Sequence, residues 1–384
     1  DGLATTRPLL PGIQELCSAK RSMEAYLEQV SDQVLSSEAG LLRLYAVKGP
    51  LTGALSGCSE AIHLETGVRY AMRPTSVKEL SASRRKRDEL HAMVQAMRRL
   101  VSTGGAGAPG GDASTSSPLP QLHEVVATPS RILVFFELEP LLRRDGGMIT
   151  DLLSLLEKRN RLREEEARAI FVRLVLATKA AHELGVALRN IKPEGVQVSQ
   201  RVKGEPWRLH LVDLHCAAIV DDTDEQHGGL SGLHGTPEYA APEVALWYWH
   251  ESGTYRDANG KPAPPPLYGL KADVWSLGMC LHVMLCGCFP FETRGRPVDA
   301  VLRDVNAADF TFDDPGWSKL SPPALEMVRL LLCRDSRERP VLEEVLQHQF
   351  CGAALQEAVP CTRDDSLKDS DYDKALAALD SDGD

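Results

Sequence analysis

The pattern of hydrophobic and polar positions divides the chain into a strand-rich first part and a helical second part. Short apolar runs predict strands over 42–47, 61–64, 68–72, 122–127 and 132–138. Apolar residues at helical spacing predict helices over about 12–34, 78–101 and 164–184, with a strand-rich interruption at 195–220. We therefore expect an α+β fold with a strand-rich N-terminal lobe, a helical C-terminal lobe and a helix ahead of both.

Four segments follow from this pattern. We expect an N-terminal helical extension over 1–41, the strand-rich lobe over 42–138, the helical lobe over 139–352 and an acidic tail over 353–384. The stretch 104–120 is rich in Gly, Ala, Ser and Pro, which predicts a disordered loop. An insertion over about 244–270 contains Trp247, Tyr248 and Trp249. These aromatic side chains either pack on the helical lobe or form a partner surface.

Composition narrows the class of protein and of partner. The 384 residues are 43% hydrophobic and 25% charged, as in globular proteins, and the net charge of -11 argues against a nucleic-acid partner. No run of eighteen apolar residues occurs, so no transmembrane segment is predicted. The nine cysteines include no C-x-x-C pair, so a zinc ribbon is not expected, and their disulfide state stays open. The basic run at 84–87 predicts a solvated helix face, with a patch for an anionic partner as the alternative.

Three motifs in the second half follow one another in a fixed order. They read G-T-P-E-Y-A-A-P-E at 235–243, D-V-W-S-L-G at 273–278 and R-E-R-P at 337–340. Together they resemble the protein-kinase family, and the resemblance covers about 42–350. It implies the two-lobed kinase fold, a pair between Glu243 and Arg339, and an anchoring role for Asp273 beneath the catalytic loop. These are structural roles.

The resemblance also locates the chemical positions, and the catalytic loop departs from the family. It reads L-R-N-I-K-P-E-G at 188–195, so Asn190 replaces the proton-accepting aspartate and Gly195 replaces the second metal ligand. An amide accepts no proton at neutral pH, and a positioned general base contributes about 10²–10⁴-fold to a rate. We therefore predict no intact catalytic set, with degenerate positions at Asn190, Gly195 and Arg73.

The nucleotide-binding positions are altered as well. Only Gly53 matches the glycine-rich loop, and Arg73 replaces the lysine of the following strand with a longer, planar cation. Glu89 is the candidate partner of Arg73, unless it forms an ordinary surface salt bridge. The remaining residues of the predicted weak nucleotide pocket are Phe136 at the gatekeeper position, Glu137 at the hinge, Lys192 and Asp213.

Asp213 begins the segment D-L-H and is the candidate ligand of a single Mg²⁺. His215 in the same segment is expected to be a hydrogen-bonded loop residue rather than a metal ligand, because no Cys or His lies near it at ligand spacing. No cofactor is required by this pattern, and ATP with Mg²⁺ is expected to bind weakly if it binds.

Structural motifs are retained while chemical groups are changed, which favours a catalytically inactive pseudokinase acting as a protein-binding or allosteric scaffold. One alternative is an atypical active Ser/Thr kinase that uses Asp213, Lys192 and Arg73. The other is a truncated relative of the calcium-dependent kinases, since D-S-D-G-D at 380–384 matches the start of an EF-hand loop. A solvated acidic tail explains the same residues.

Several features resemble the rhoptry-type secreted kinases of intracellular parasites, one branch of which lacks the glycine loop. They are the N-terminal helix, the lead-in Y-A-V-K-G-P-L at 45–51, the hairpin turn at 65–67 and the insertion. The resemblance implies secretion, into a parasite secretory organelle or vacuole, rather than a cytoplasmic location. It also implies protein partners, such as another kinase or a host or vacuolar protein.

Overall fold

The computed structural model describes residues 22–101, 117–138, 148–200, 207–220, 229–310, 317, 320–352 and 354–355. Contacts divide them into two compact units. The first contains 22–51, 57–94 and 122–138, and the second contains the rest. The predicted EF-hand start, most of the predicted disordered loop and nearly all of the acidic tail lie outside the described residues.

A six-stranded sheet builds the first unit, in the order β1-β5-β6-β4-β3-β2. Its strands are β1 (Gln33–Val34), β2 (Tyr45–Pro50), β3 (Ser59–His63), β4 (Arg69–Ser76), β5 (Leu122–Ala127) and β6 (Arg131–Glu137). Only β1 and β5 pair in parallel. The interior of β6 reads I-L-V-F-F and is buried throughout, as expected for a strand with a neighbour on each side. The strands predicted near 61–64, 68–72, 122–127 and 132–138 are confirmed.

The helices of the first unit differ from the prediction in three places, and the first is that the helix predicted to reach residue 34 ends at residue 30, before β1. These helices are α1 (22–30), α2 (Glu38–Leu44), α3 (Val77–Ala82) and α4 (Arg84–Val101), whose last turns belong to the second unit. The strand predicted over 42–47 is wrong in its first half, because α2 is helical and buries Leu41 in the sheet core. The helix predicted over 78–101 is two helices that separate at Ser83. Residues 33–41, assigned to the extension, contain β1 and most of α2.

Helices dominate the second unit. They are α5 (Leu152–Arg159), α6 (Glu164–His182), α7 (Pro242–Glu251), α8 (Lys271–Cys286), α9 (Val298–Ala307), α10 (Pro322–Leu331) and α11 (Leu342–Gln347). Two small sheets accompany them, β10 (Arg208–Leu211)-β9 (Val196–Gln200)-β7 (Met148–Asp151) and β11 (Ala218–Ile219)-β8 (Val186–Ala187). The α+β plan is therefore confirmed. Among the described residues, no helix has the length and apolar character needed to cross a bilayer.

Helix α8 forms the centre of the second unit. Its sequence is apolar on every side, so the helix is buried almost all round rather than on one stripe. Of the aromatic residues in the insertion, Trp247 in α7 is buried in this unit, whereas Tyr248 and Trp249 are half-buried. The carbonyl of Trp249 accepts the amides of Thr254 and Tyr255, at 2.8 and 2.9 Å, which fixes the start of the following loop.

Candidate active site

One buried carboxylate holds the loop at 188–195 in place. Asp273, at the start of α8, is 1% exposed. Its Oδ2 accepts the amide of Leu188 and its Oδ1 accepts the amide of Arg189, both at 2.7 Å. The Nε2 of His182 lies 2.9 Å from the same Oδ2. These bonds compensate for the cost of burying the carboxylate. They also hold Arg189 at the uncommon backbone φ of 58°, and the predicted anchoring role of Asp273 is confirmed.

Asn190 joins the carboxylate of Asp213 to the hydroxyl of Thr236. Its Nδ2 donates to Asp213 Oδ2 at 3.0 Å, and its Oδ1 accepts from Thr236 Oγ1 at 3.1 Å. Lys192 Nζ donates to the same Thr236 oxygen at 2.8 Å. An asparagine can make both bonds because its side chain has a donor and an acceptor. Asn190, Lys192, Asp213 and Thr236 therefore form one continuous network, which we call the hydroxyl network.

Thr236 was not among the predicted site residues, although it lies inside a recognised motif. Its position depends on Gly235, whose φ is 91°. A Cβ at Gly235 would lie 2.3 Å from the carbonyl oxygen of Arg189. Only glycine tolerates both the left-handed backbone and this close approach. The glycine therefore lets the segment lie directly on the catalytic loop and brings the hydroxyl of Thr236 to Asn190.

Asp213 also contacts His215. The Nδ1 of His215 lies 2.6 Å from Asp213 Oδ1. Hydrogen bonds to Asp213 and then Cys216 raise the pKa of His215 to about 9, against the opposing effect of burial. At neutral pH the ring is therefore a cation beside the carboxylate. His215 is the hydrogen-bonded loop residue that the sequence indicated.

A metal ion bound at Asp213 would find no second carboxylate at the position of Gly195. Gly195 supplies no side-chain oxygen, and a Cβ there would lie 3.2 Å from the Cβ of Asp213. Within the part of the chain that the structure describes, no three His, Cys, Asp or Glu residues group as metal ligands. Mg²⁺ commonly takes one or two carboxylates and completes its shell with water and phosphate oxygens. Asp213 therefore fits one Mg²⁺ as its single carboxylate ligand.

Gly53 lies in the second unit, close to the catalytic loop. It begins the 3-10 turn Gly53–Leu55, which contacts the 3-10 turn Pro193–Gly195. The space at Gly53 is limited by Asp151, whose Oδ2 would lie 2.9 Å from a Cβ at this position. Asp151 caps α5 by accepting the amide of Ser154 at 2.7 Å. The structure thus brings the turn that contains Gly53 against the turn that contains Gly195.

The other predicted nucleotide residues lie in the first unit. They are Arg73 on β4, Glu89 on α4, and Phe136 and Glu137 on β6. Phe136 is 4% exposed and packs in the core. Glu89 accepts a hydrogen bond from Arg85 Nε at 2.8 Å, one turn earlier in α4. The nucleotide roles of these four residues stay predictions.

A cavity of about 930 Å³ adjoins Thr236 and is rich in carboxylates. Its acidic lining residues are Glu157, Glu194, Glu238 and Glu292, with Arg294 as a basic one. Burial raises the pKa of Glu194 above its ordinary value. The Glu194 Oε2 atom is buried and has no hydrogen-bond partner among the described residues. This lining favours ligands that carry basic groups.

An ion pair between Glu243 and Arg339 stabilises the unit that contains the site. Arg339 donates NH1 to Oε1 and NH2 to Oε2 of Glu243, at 2.7 and 2.8 Å. Its side chain is fully buried and lies over the ring of Trp275, 5.2 Å from the centroid. This bidentate pair ties α7 to the segment before α11, and the prediction from the motifs is confirmed.

Comparison with known families identifies this arrangement. The model of the protein kinase domain matches residues 114–351, well over half of the chain. The chain belongs to the protein kinase domain family. The catalytic loop, the hydroxyl network and the pair between Glu243 and Arg339 all lie within the matched region.

The similar curated proteins are named as kinases. The probable serine/threonine-protein kinase fhkE of Dictyostelium discoideum is 27% identical over 311 residues, covering 80% of this chain and 38% of that protein. The serine/threonine-protein kinase DCLK1 of Rattus norvegicus is 25% identical over 364 residues, covering 94% and 70%. Death-associated protein kinase 2 of Homo sapiens is 26% identical over 287 residues, covering 74% and 65%. The chain thus spans well under half of the first relative and about two thirds of the other two proteins named here.

These relatives overturn the expectation of an inactive scaffold that is not an enzyme. They carry the names of serine/threonine protein kinases, and this finding favours the alternative of an atypical active kinase. The prediction was wrong because it equated the altered groups at Asn190, Gly195, Arg73 and the glycine-rich loop with the loss of the reaction. Phosphoryl transfer depends mainly on positioning and electrostatic stabilisation, and the general base contributes only about 10²–10⁴-fold.

Proposed function

We propose that this protein is an atypical serine/threonine protein kinase, which transfers a phosphoryl group from ATP to a protein hydroxyl. The observation that carries the proposal is the hydroxyl network. Its amide at Asn190 binds a hydroxyl oxygen on one side and the carboxylate of Asp213 on the other. The names of the relatives support the reaction class.

Each residue of the network has a role that follows from its chemistry. Bound ATP with Mg²⁺ supplies the transferable group and neutralises part of its charge. Asp213 would hold the metal with its carboxylate, and the ammonium of Lys192, which donates to the hydroxyl of Thr236, would stabilise negative charge on an acceptor hydroxyl placed there. Asn190 would orient an acceptor hydroxyl, as it does that of Thr236, and the proton of that hydroxyl would pass to an oxygen of the transferred phosphate, because an amide does not accept it. The enzyme therefore relies on position rather than on general base catalysis, and we expect a slow turnover.

The acidic cavity next to Thr236 supports a preference for acceptors with basic side chains. Glu194 contributes a buried oxygen without a partner, and a cation from the substrate would supply one. The net charge of -11 acts in the same direction, because it attracts basic proteins over a longer range.

Label transfer from γ-labelled ATP tests the proposal. The acceptors are peptides with one Ser, Thr or Tyr flanked by Lys and Arg, beside acidic counterparts. We expect transfer to Ser and Thr of the basic peptides, and a loss of about tenfold or more for Lys192→Met because the charge at the hydroxyl is removed. Lys261→Met, in the exposed loop after α7, is the matched control and should behave as the wild type. Equal transfer by the Lys192 and Lys261 variants would refute the role of Lys192 in the reaction.

We also propose, from the resemblance to the rhoptry-type kinases, that the protein is secreted and acts on proteins of a vacuole or host. Immunolocalisation in the native cell tests the location, and a signal confined to the cytoplasm argues against it. Affinity purification with and without the loop 252–270 tests whether that loop contributes to partner binding.

A further inference from the structure

Tyr268 connects the segment before Thr236 to the rest of the second unit. It lies in the loop between α7 and α8 and is 2% exposed. Its backbone pairs with Leu230 in both directions, at 3.1 Å for the amide of Leu230 and 3.0 Å for the amide of Tyr268. Its hydroxyl donates to the carbonyl oxygen of Gly232 at 2.9 Å. Tyr268 therefore binds the segment 230–236 at two residues, Leu230 and Gly232.

The same hydroxyl reaches the catalytic loop. Arg189 donates NH1 to the oxygen of Tyr268 at 3.5 Å and Nε to the carbonyl of Cys216 at 2.6 Å. Burial raises the pKa of Tyr268, although Arg189 opposes the shift, so the phenol remains a neutral donor at physiological pH. The phenol thus accepts from Arg189 and donates to Gly232, which joins loop and segment through one oxygen atom.

Two further contacts hold the segment 230–236 in place, and neither of them involves a phosphate group. Glu251, at the end of α7, accepts the amide of Leu233 at 3.0 Å. Gly235 then packs on the carbonyl of Arg189. An arginine beside a loop that bears hydroxyls is the usual partner of a phosphate on that loop. Here its Nε and NH1 donate to a carbonyl and a phenol, while the side chain of Ser231 is exposed.

We propose that Tyr268 is a positioning residue that holds 230–236 against the catalytic loop in place of a phosphate on Ser231. The inference rests on the proposed function and adds its regulation. Activity then needs no phosphorylation of Ser231. The hydroxyl of Tyr268 is essential to this positioning, because it accepts from Arg189 and donates to Gly232.

Peptide kinetics after phosphatase treatment test the inference. We expect phosphatase-treated wild type to be as active as untreated protein, and Ser231→Ala to stay within about twofold of it. Tyr268→Phe should raise KM for the peptide and lower kcat/KM for the peptide about tenfold, because a buried hydroxyl shared by two groups is lost. KM for ATP should stay the same. Tyr255→Phe, in the same loop, is the matched control and should change neither. Inactivation by phosphatase or by Ser231→Ala would overturn the inference, as would equal kinetics for the two phenylalanine variants.

Hydrogen exchange separates this inference from the proposed function. If no variant transfers phosphate under any condition, the proposed function fails, and the exchange rates still decide the role of Tyr268. Tyr268→Phe should speed exchange in 230–236 about tenfold relative to the wild type, and leave the amide of Leu188 unchanged because Asp273 binds it independently. Should Tyr268→Phe fail to fold, Glu251→Ala, which leaves Tyr268 in place, should speed exchange at the amide of Leu233 and leave that at Leu230 unchanged. Unchanged exchange in 230–236 contradicts the inference.

Discussion

The side-chain amide of Asn190 donates to the carboxylate of Asp213, with 3.0 Å between Nδ2 and Oδ2. This contact explains how the site tolerates an amide where protein kinases have an aspartate. The amide neutralises part of the local negative charge and still binds the hydroxyl of Thr236 with its oxygen. A reaction that depends chiefly on positioned groups can proceed from such an arrangement.

Asn190→Asp should raise kcat, but by less than the about 10²–10⁴-fold of an ideally placed base. The new carboxylate would lie beside that of Asp213, and two adjacent carboxylates raise the pKa of one of them. The proton-accepting form therefore becomes more abundant as pH rises. We expect the gain to be larger at pH 8.5 than at pH 6, as measured by initial rates at saturating ATP and peptide. Asn190→Ala is the control and should lose activity, because it binds neither neighbour. A gain independent of pH would argue against this contact.

Gly235→Ala should reduce both stability and activity. The backbone φ of 91° is strained for alanine, and its Cβ would lie 2.3 Å from the carbonyl of Arg189. The segment must move away from the catalytic loop, which separates Thr236 from Asn190. We expect a loss in kcat/KM of about 10²-fold, since small displacements of positioning groups have effects of that size.

Gly253→Ala is the matched control for this substitution. Its φ of 74° carries the same backbone strain, but no atom lies within 4 Å of the added Cβ. It should lower the melting temperature slightly and leave kcat/KM unchanged. Equal kinetic losses for the two glycine variants would mean that the backbone, rather than the contact with Arg189, is responsible.

Arg339→Met should destabilise the second unit by about 3–5 kcal/mol, because it leaves Glu243 without its buried partner. The midpoint of urea unfolding measures this effect. Arg337→Met removes an arginine two residues away that pairs with Asp335 on the surface. Exposed ion pairs contribute little to the free energy of unfolding, so we expect no measurable shift in the urea midpoint of this variant. Similar shifts for both variants would show that the buried geometry has no special role.

Acid stability should depend on Glu38. Burial alone raises the pKa of this carboxyl, but hydrogen bonds from Ser130, Thr128 and Arg131 outweigh it and lower the pKa from 4.5 to about 2. A depressed pKa in the folded state stabilises the protein above the unfolded pKa, and this contribution is lost as pH falls through the folded value. Wild type should therefore melt above Glu38→Gln at pH 6, and the difference should shrink between pH 4.5 and 2. Glu65→Gln, in an exposed turn, should show no such pH dependence.

Some of the site could be predicted because motifs fix residue types at positions that the fold brings together. Glu243, Asp273 and Arg339 are of this kind, and their partners are those expected from the motif order. The helix at Glu38–Leu44 could not be read locally, because a run of L-L-R-L fits a strand as well as a short helix.

Other features depend on contacts between distant positions in the chain. The hydrogen bonds of Glu38 come from residues about ninety positions away. The role of Tyr268 depends on Leu230 and Arg189, which no local pattern connects to it. The partners of Asn190 were likewise not visible in the sequence, although its identity was.

Transfer of label from γ-labelled ATP to a basic Ser/Thr peptide, by wild type and by Asp213→Ala, tests the account most directly. Circular dichroism melting of both proteins confirms that each is folded before the assay. We expect slow transfer by the wild type, dependent on Mg²⁺, and a loss of at least about 10²-fold in the variant because the carboxylate for the metal is removed. Transfer that is absent from folded wild type, or equal in the two proteins, would contradict this expectation.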